Sequence, residues 1–242
     1  MTSFSSSPPN AMDVPLPMES SKNSQVAKNG FRAERAICLQ EDVKKSLELY
    51  LNKSIKCLTL IHSKKSDMVI DFTDGHTTRV QNKDGDGKGR GFSVDRRKVE
   101  EFSNEPLTTL LKTMCLKQGT EKPIVLSDVS KNVITMCING IDEKYAPEYF
   151  THTTSDKTTG QIISMSICPT EKLVSFLNSE VYPVMDTMPP KRTCVHLSPN
   201  CYLQRKGGGK KDHAPDHIQM KIVFTEALET LFTPIFPQTT SQ

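Results

Sequence analysis

The stretch from Lys64 to Lys83, KKSDMVIDFTDGHTTRVQNK, decides the fold. Met68 to Phe72 (MVIDF) is rich in β-formers, and Thr73-Asp74-Gly75 is a turn signal. Thr77 to Lys83 (TTRVQNK) then alternates as a second strand. In a strand successive side chains point to opposite faces, so Gln81 and Lys83, two residues apart, share one. Folding the two strands together brings Asp67, at the opening of the first, towards the Gln81/Lys83 pair at one end of the sheet. Glu34, on the helix that precedes, can approach the same end.

Outward from this hairpin, strands and helices intersperse. Phe31, Ala33, Glu34, Ile37, Val43, Leu47 and Tyr50 carry an amphipathic spacing that predicts one helix running to about Leu51, followed by a strand over IKCLTLI from Ile55. Downstream, the pattern predicts a helix near Leu107–Leu116 behind Pro106, a short strand near Pro123–Leu126, and a helix from Ser127 closed by Gly140. A strand from Gln161 to Cys168, a helix from about Thr170 to Val181, and strands near Cys194, Tyr202 and His217 follow. This order predicts a mixed α/β domain with a central sheet flanked by helices, not a bundle or a sandwich. Residues 1–28, rich in Ser, Pro and Asn, are expected to form a disordered tail, and 29–242 a single domain whose C-terminal half elaborates on the core.

Composition narrows the function classes. The chain has 242 residues, 36% hydrophobic and 24% charged, with no Trp and 15 Pro, which is a polar globular composition rather than a fibrous one. No apolar run reaches the roughly 18 residues of a spanning helix and no secretory leader is visible, so an intracellular protein with no membrane partner is expected. Seven cysteines without a close CxxC pair point to reduced thiols. Cys194, His196, Cys201, His213 and His217 follow a finger-like order, but the Cys pair is too widely spaced for a zinc finger. The glycine-rich stretch Asp84–Gly91 lacks the GK[ST] of a phosphate-binding loop, which excludes nucleotide binding there.

The net charge of +3 is small, yet the basic residues are concentrated. One cluster holds Lys83, Lys88, Arg90, Arg96 and Arg97; another surrounds the triple glycine with Gln204, Arg205, Lys206, Lys210 and Lys211. Basic residues on glycine-rich loops suit phosphate contacts, because Gly permits close approach of a nucleic-acid backbone. Asp67, Gln81, Lys83 and Glu34 meanwhile form the set that phosphodiester hydrolysis requires: oxygens to hold Mg²⁺ and a Lys to position water and offset phosphate charge.

At these residues the sequence resembles the PD-(D/E)XK nuclease superfamily, which contains most type II restriction endonucleases. The family order is a helical Glu, an Asp at a strand start, then an acidic residue, any residue, and Lys; here it reads Glu34, Asp67, Gln81-Asn82-Lys83. The resemblance implies a restriction-endonuclease-like core and Mg²⁺-dependent hydrolysis of DNA, with Mn²⁺ able to substitute. It implies Asp67 as principal metal ligand, Lys83 at the attacking water and Glu34 as a supporting acid. The departure is Gln81, whose carbonyl can coordinate a hard cation but brings no charge, so metal affinity falls unless Asp71, Asp84 or Glu34 compensates. An inactive nucleic-acid-binding protein on the same fold is the alternative. Duplex cleavage by one site per chain favours a homodimer, since two antiparallel strands call for two sites about a two-fold axis.

Overall fold

The computed structural model describes residues 22–61, 65–85, 91–101, 127–182, 194–206 and 217–237. The fold is mixed α/β. Its central sheet has six strands in the order β1 (Ile55–Leu60), β2 (Met68–Phe72), β3 (Thr77–Asp84), β5 (Tyr149–Ser155), β6 (Ile162–Pro169) and β10 (Thr233–Phe236). Neighbours run antiparallel except β3 and β5, which pair in parallel. A parallel pair cannot be joined by a tight turn, and the long connection between these two carries β4 (Phe92–Lys98) and helix α3 (Ser127–Asn139). β4 leaves the central sheet to become an edge of a second one, four antiparallel strands ordered β4, β9 (His217–Ile222), β8 (Cys201–Lys206) and β7 (Cys194–Ser198).

Each face is built from its sequence period. In β2 alternate residues Met68, Ile70 and Phe72 are buried, and they meet Ala33 and Ile37 of α1 (Lys22–Leu39) and Val43 and Leu47 of α2 (Glu41–Leu51). A second core lies behind the four-stranded sheet, where Leu203, Ile218, Met220 and Ile222 pack with Ile134 and Ile138 of α3 and Leu173 and Leu177 of α4 (Thr170–Ser179). Phe150 of β5 joins this second cluster, so the central sheet touches one core on each face.

Several expectations change. The helix expected to run unbroken to Leu51 is split at Gln40, whose backbone is extended (φ −82°, ψ 111°). Its side-chain amide is drawn to β6 instead, where Oε1 accepts from the Ile162 N–H at 2.6 Å. α1 also begins at Lys22, inside the stretch expected to be tail. The expected mixed central sheet is present, with a second, four-stranded sheet beside it; β4, β5 and β10 are not legible in the sequence, because FSVDRRK is charged, YFTHTTS is polar, and TPIF carries a proline that an edge strand tolerates. The segments expected near 107–116 and 123–126 lie outside the described residues.

One buried cation ties the layers together. Lys65, on the lead into β2, is 5% exposed, and its Nζ donates to the carbonyls of Val94 on β4, at 3.0 Å, and of Cys137 on α3. Asp95 lies 4.0 Å from the same Nζ and accepts from Arg97 Nε at 2.6 Å. Arg97 in turn donates to the carbonyl of Met136. Burial lowers the Lys65 ammonium to about 8 against the pull of Asp95. Removing one member of such a buried charge group leaves carbonyls and a carboxylate short of a donor. Lys65→Ala is therefore expected to cost about 3 kcal/mol or more in urea denaturation, and Lys65→Met, which refills the volume, distinctly less.

Candidate active site

The hairpin forms as its sequence dictates. Gly75 adopts φ +88°, open to glycine at no steric cost, and the Asp74 carboxylate accepts from the His76 N–H at 2.9 Å across the turn. The register pairs Val69 with Arg79 and Met68 with Val80, and then the ladder stops. Asp67 is the cause: its own N–H bonds Val80 O at 2.9 Å, and its Oδ2 accepts the Asn82 N–H at 2.8 Å. A carboxylate thus stands where the next backbone carbonyl would have accepted. Gln81 lies between the two residues that Asp67 engages.

Lys83 follows on β3, its Nζ 4.0 Å from Asp67 Oδ2. Its stem lies against an apolar wall that includes Phe92, Val94, Phe150 and Phe224. Beside it in the parallel register stands His152, stacked on Phe224 at 4.4 Å between ring centroids. Gln81 is 5% exposed, and its side-chain oxygen has no hydrogen-bond partner. A buried amide oxygen without a donor carries a desolvation cost that a bound cation would remove.

Glu34 reaches this strand end from α1. Burial first, then the negative charge of Asp67, raises its carboxyl to about 7, while Lys83 pulls the other way. Asp67 is raised as well, by burial, against the opposing effect of Lys83 and the Asn82 N–H. Two carboxyls and one ammonium therefore act on one another at the end of β2 and β3, and Gln81, with its unpartnered oxygen, lies on the same strand as Lys83. Among the described residues no three His, Cys, Asp or Glu side chains form a metal-binding group.

Of Asp71, Asp84 and Glu34, the acids expected to offset the missing charge at Gln81, only Glu34 is coupled to Asp67. Asp84 is engaged across the sheet, its two oxygens accepting from Thr153 at 3.2 Å and Ser155 at 2.8 Å. Asp71 accepts from the Cys57 thiol at 3.0 Å on the exposed side of β1. Asn82, with no role expected of it, donates to Thr153 and accepts from Thr151 at 2.8 Å, which pins β3 to β5. Side-chain networks of this kind give no sequence signal, because the strands they join are distant in the chain.

The expected DNA-contacting residues divide. Arg96 is exposed on β4, and Gln204 and Lys206 lie on the partly exposed face of β8. Arg97 is a correction: the two-residue alternation of β4 turns it inward, where it is 7% exposed and bonded to Asp95 and Met136. Arg205 lies on the β8 backbone, paired with Ile218. Lys88, Arg90, Lys210 and Lys211 lie outside the described residues. Among those described, Cys201 is buried against Ser198, and the ring of His196 lies 5.2 Å from that of Tyr202.

No protein-family model matches the chain, and no curated protein sequence does. In structure the chain is similar to restriction endonuclease MspI in complex with its cognate DNA, with a TM-score of 0.46 and 14% sequence identity, covering 75% of this chain and 77% of that one. Among the described residues no helix is long and apolar enough to cross a membrane.

The raised carboxyl gives a pH signature. Between about 4.5 and 7 the unfolded chain has released the Glu34 proton while the folded chain retains it, so this group lowers stability as pH rises across that window. In EDTA, melting temperatures measured at pH 5 and pH 8 should fall further for the native sequence than for Glu34→Gln. Equal changes in the two proteins would show that Glu34 is not held in this environment.

Proposed function

We propose that this chain is a metal-dependent DNA endonuclease that hydrolyses phosphodiester bonds. The observation that carries the reading is the end of β2 and β3, where Lys83 Nζ lies 4.0 Å from a carboxylate that accepts from the Asn82 backbone N–H. Asp67, Gln81 and Glu34 supply hard oxygen donors of the kind that Mg²⁺ or Mn²⁺ takes. The ion would polarise a phosphate oxygen and lower the pKa of a bound water.

The remaining work falls to side chains of this chain. The Asn82 N–H fixes the Asp67 carboxylate in one orientation, and the Thr151–Asn82–Thr153 bonds hold that N–H in place. Lys83, its stem packed on phenylalanine rings, directs its ammonium to the same point; there it orients a water and offsets charge that develops on the scissile phosphate. Glu34 retains its proton up to about pH 7 and serves as a reserve of negative charge. A homodimer would bring two such sites to the two strands of a duplex. Because Gln81 brings no charge, a DNA-binding protein without cleavage is the second reading.

Supercoiled plasmid with Mg²⁺, Mn²⁺ or EDTA separates the two. Metal-dependent cleavage is expected, reduced roughly 100-fold or more in Lys83→Ala and in Asp67→Ala. Cleavage that persists in EDTA or in both variants would overturn the proposed site. Salt-sensitive retention of DNA without cleavage would leave the second reading standing. In the active case Gln81→Glu should shift the Mg²⁺ concentration for half-maximal cleavage downwards, since it adds a charge at an oxygen already in place.

A further inference from the structure

Among the described residues, the helices that pack on the four-stranded sheet cover its inner side, and the cross-strand register sorts the side chains of the outward face into rows. One row runs Lys98, His217, Lys206 across β4, β9 and β8. The next runs Arg96, Gln219, Gln204 over the same strands. The third places Lys221 beside Tyr202 and Tyr202 beside His196 of β7, with the last two rings 5.2 Å apart and tilted by 33°. These three rows include no Asp or Glu, while the alternate positions Leu203, Ile218 and Met220 enter the core.

We infer that this face binds single-stranded DNA. Alternate residues along a strand are about 6.8 Å apart and neighbouring strands about 4.8 Å, so the face offers cations at the spacing of an extended phosphate chain, together with amides and a ring pair for bases. A duplex suits it poorly. A major groove about 12 Å wide admits a two-stranded ribbon, whereas four strands span about 14 Å. An open sheet that carries a ring pair, here His196 exposed and Tyr202 half-buried, takes unpaired bases, which stack on aromatic faces irrespective of sequence. The inference rests on the nuclease reading only for the choice of DNA over RNA, and it needs neither metal nor cleavage.

Fluorescence anisotropy of the full chain in EDTA tests it, with a labelled DNA strand of about 20 nucleotides, enough to cross a site of OB-fold size, its duplex, and the RNA strand of the same sequence. The DNA strand should bind most tightly. Tyr202→Ala should weaken it roughly tenfold, with Tyr202→Phe close to the native protein. Lys206→Glu leaves the core untouched; it should weaken binding and flatten the salt dependence by about 0.7 in the log–log slope for each phosphate no longer neutralised. Circular dichroism confirms that each variant is folded. Tighter binding of duplex or RNA, or strand binding unchanged in both Tyr202→Ala and Lys206→Glu, would overturn the proposal. Loss of plasmid cleavage in Lys83→Ala with strand binding intact would keep the two sites distinct.

Discussion

The hydrogen bond from the Asn82 N–H to Asp67 Oδ2 is the constraint on which the rest of the site depends. An antiparallel ladder ordinarily continues until a turn or an unfavourable residue ends it, and its last N–H groups go to water or to side chains. Here the ladder ends on a carboxylate, and that substitution fixes an anion at the rim of a hydrophobic sheet. Because it sits at the end of the ladder rather than on one face, Asp67 is felt from both sides, by Lys83 on β3 and by Glu34 from α1. Burying two carboxyls this close is unfavourable, and their raised protonation is the physical expression of that cost.

The geometry holds because the strand that carries it is anchored on three sides. β3 is fastened to β5 through Asn82, Thr151 and Thr153, a network of mutually bonded polar groups inside the sheet. Lys65 ties the lead into β2 to β4 and α3, so the hairpin cannot shift without disturbing the second sheet. Gly91 closes the arrangement at the start of β4: at φ +63° its α-carbon approaches the carbonyl of Ile222 so closely that any side chain would collide with the β9 backbone. The two sheets and the strand end are thus braced against one another.

What is legible in the sequence follows from local rules. The hairpin, the turn at Asp74-Gly75 and the helix that ends before Gly140 each announce themselves through period, turn residues and caps, and the strands of the C-terminal part do so through alternation. Chain order and strand alternation also anticipate the approach of Asp67 to Lys83, whose Nζ lies 4.0 Å from its Oδ2. Tertiary choices are not. Gln40 breaks a helix whose pattern is continuous, because its amide serves β6. β5 reads as polar, since its threonines bond to Asn82 and Asp84 instead of meeting water. Arg97 reads as a surface cation until the pairing of β4 with β9 turns it inward beside Asp95.

That last difference bears on how charge is divided in the molecule. The basic stretch ending at Lys98 separates by alternation into two populations: Arg97, together with Lys65, faces inward and braces the layers, while Arg96 and Lys98 face outward with Lys206. A nearly neutral chain can in this way present a locally cationic sheet without a large total charge, since the field at a surface depends on which residues reach it. A similar division operates at the strand end. With an amide at position 81, the carboxylate of Asp67 is opposed by Lys83, and the negative charge at this strand end rises as Asp67 and Glu34 ionise. An acidic residue in place of Gln81 would put a further negative group into a buried setting where two carboxyls already hold their protons above the usual range, at greater cost to the folded chain. Gln81 therefore keeps a buried side-chain oxygen on β3 without adding another buried charge to the fold.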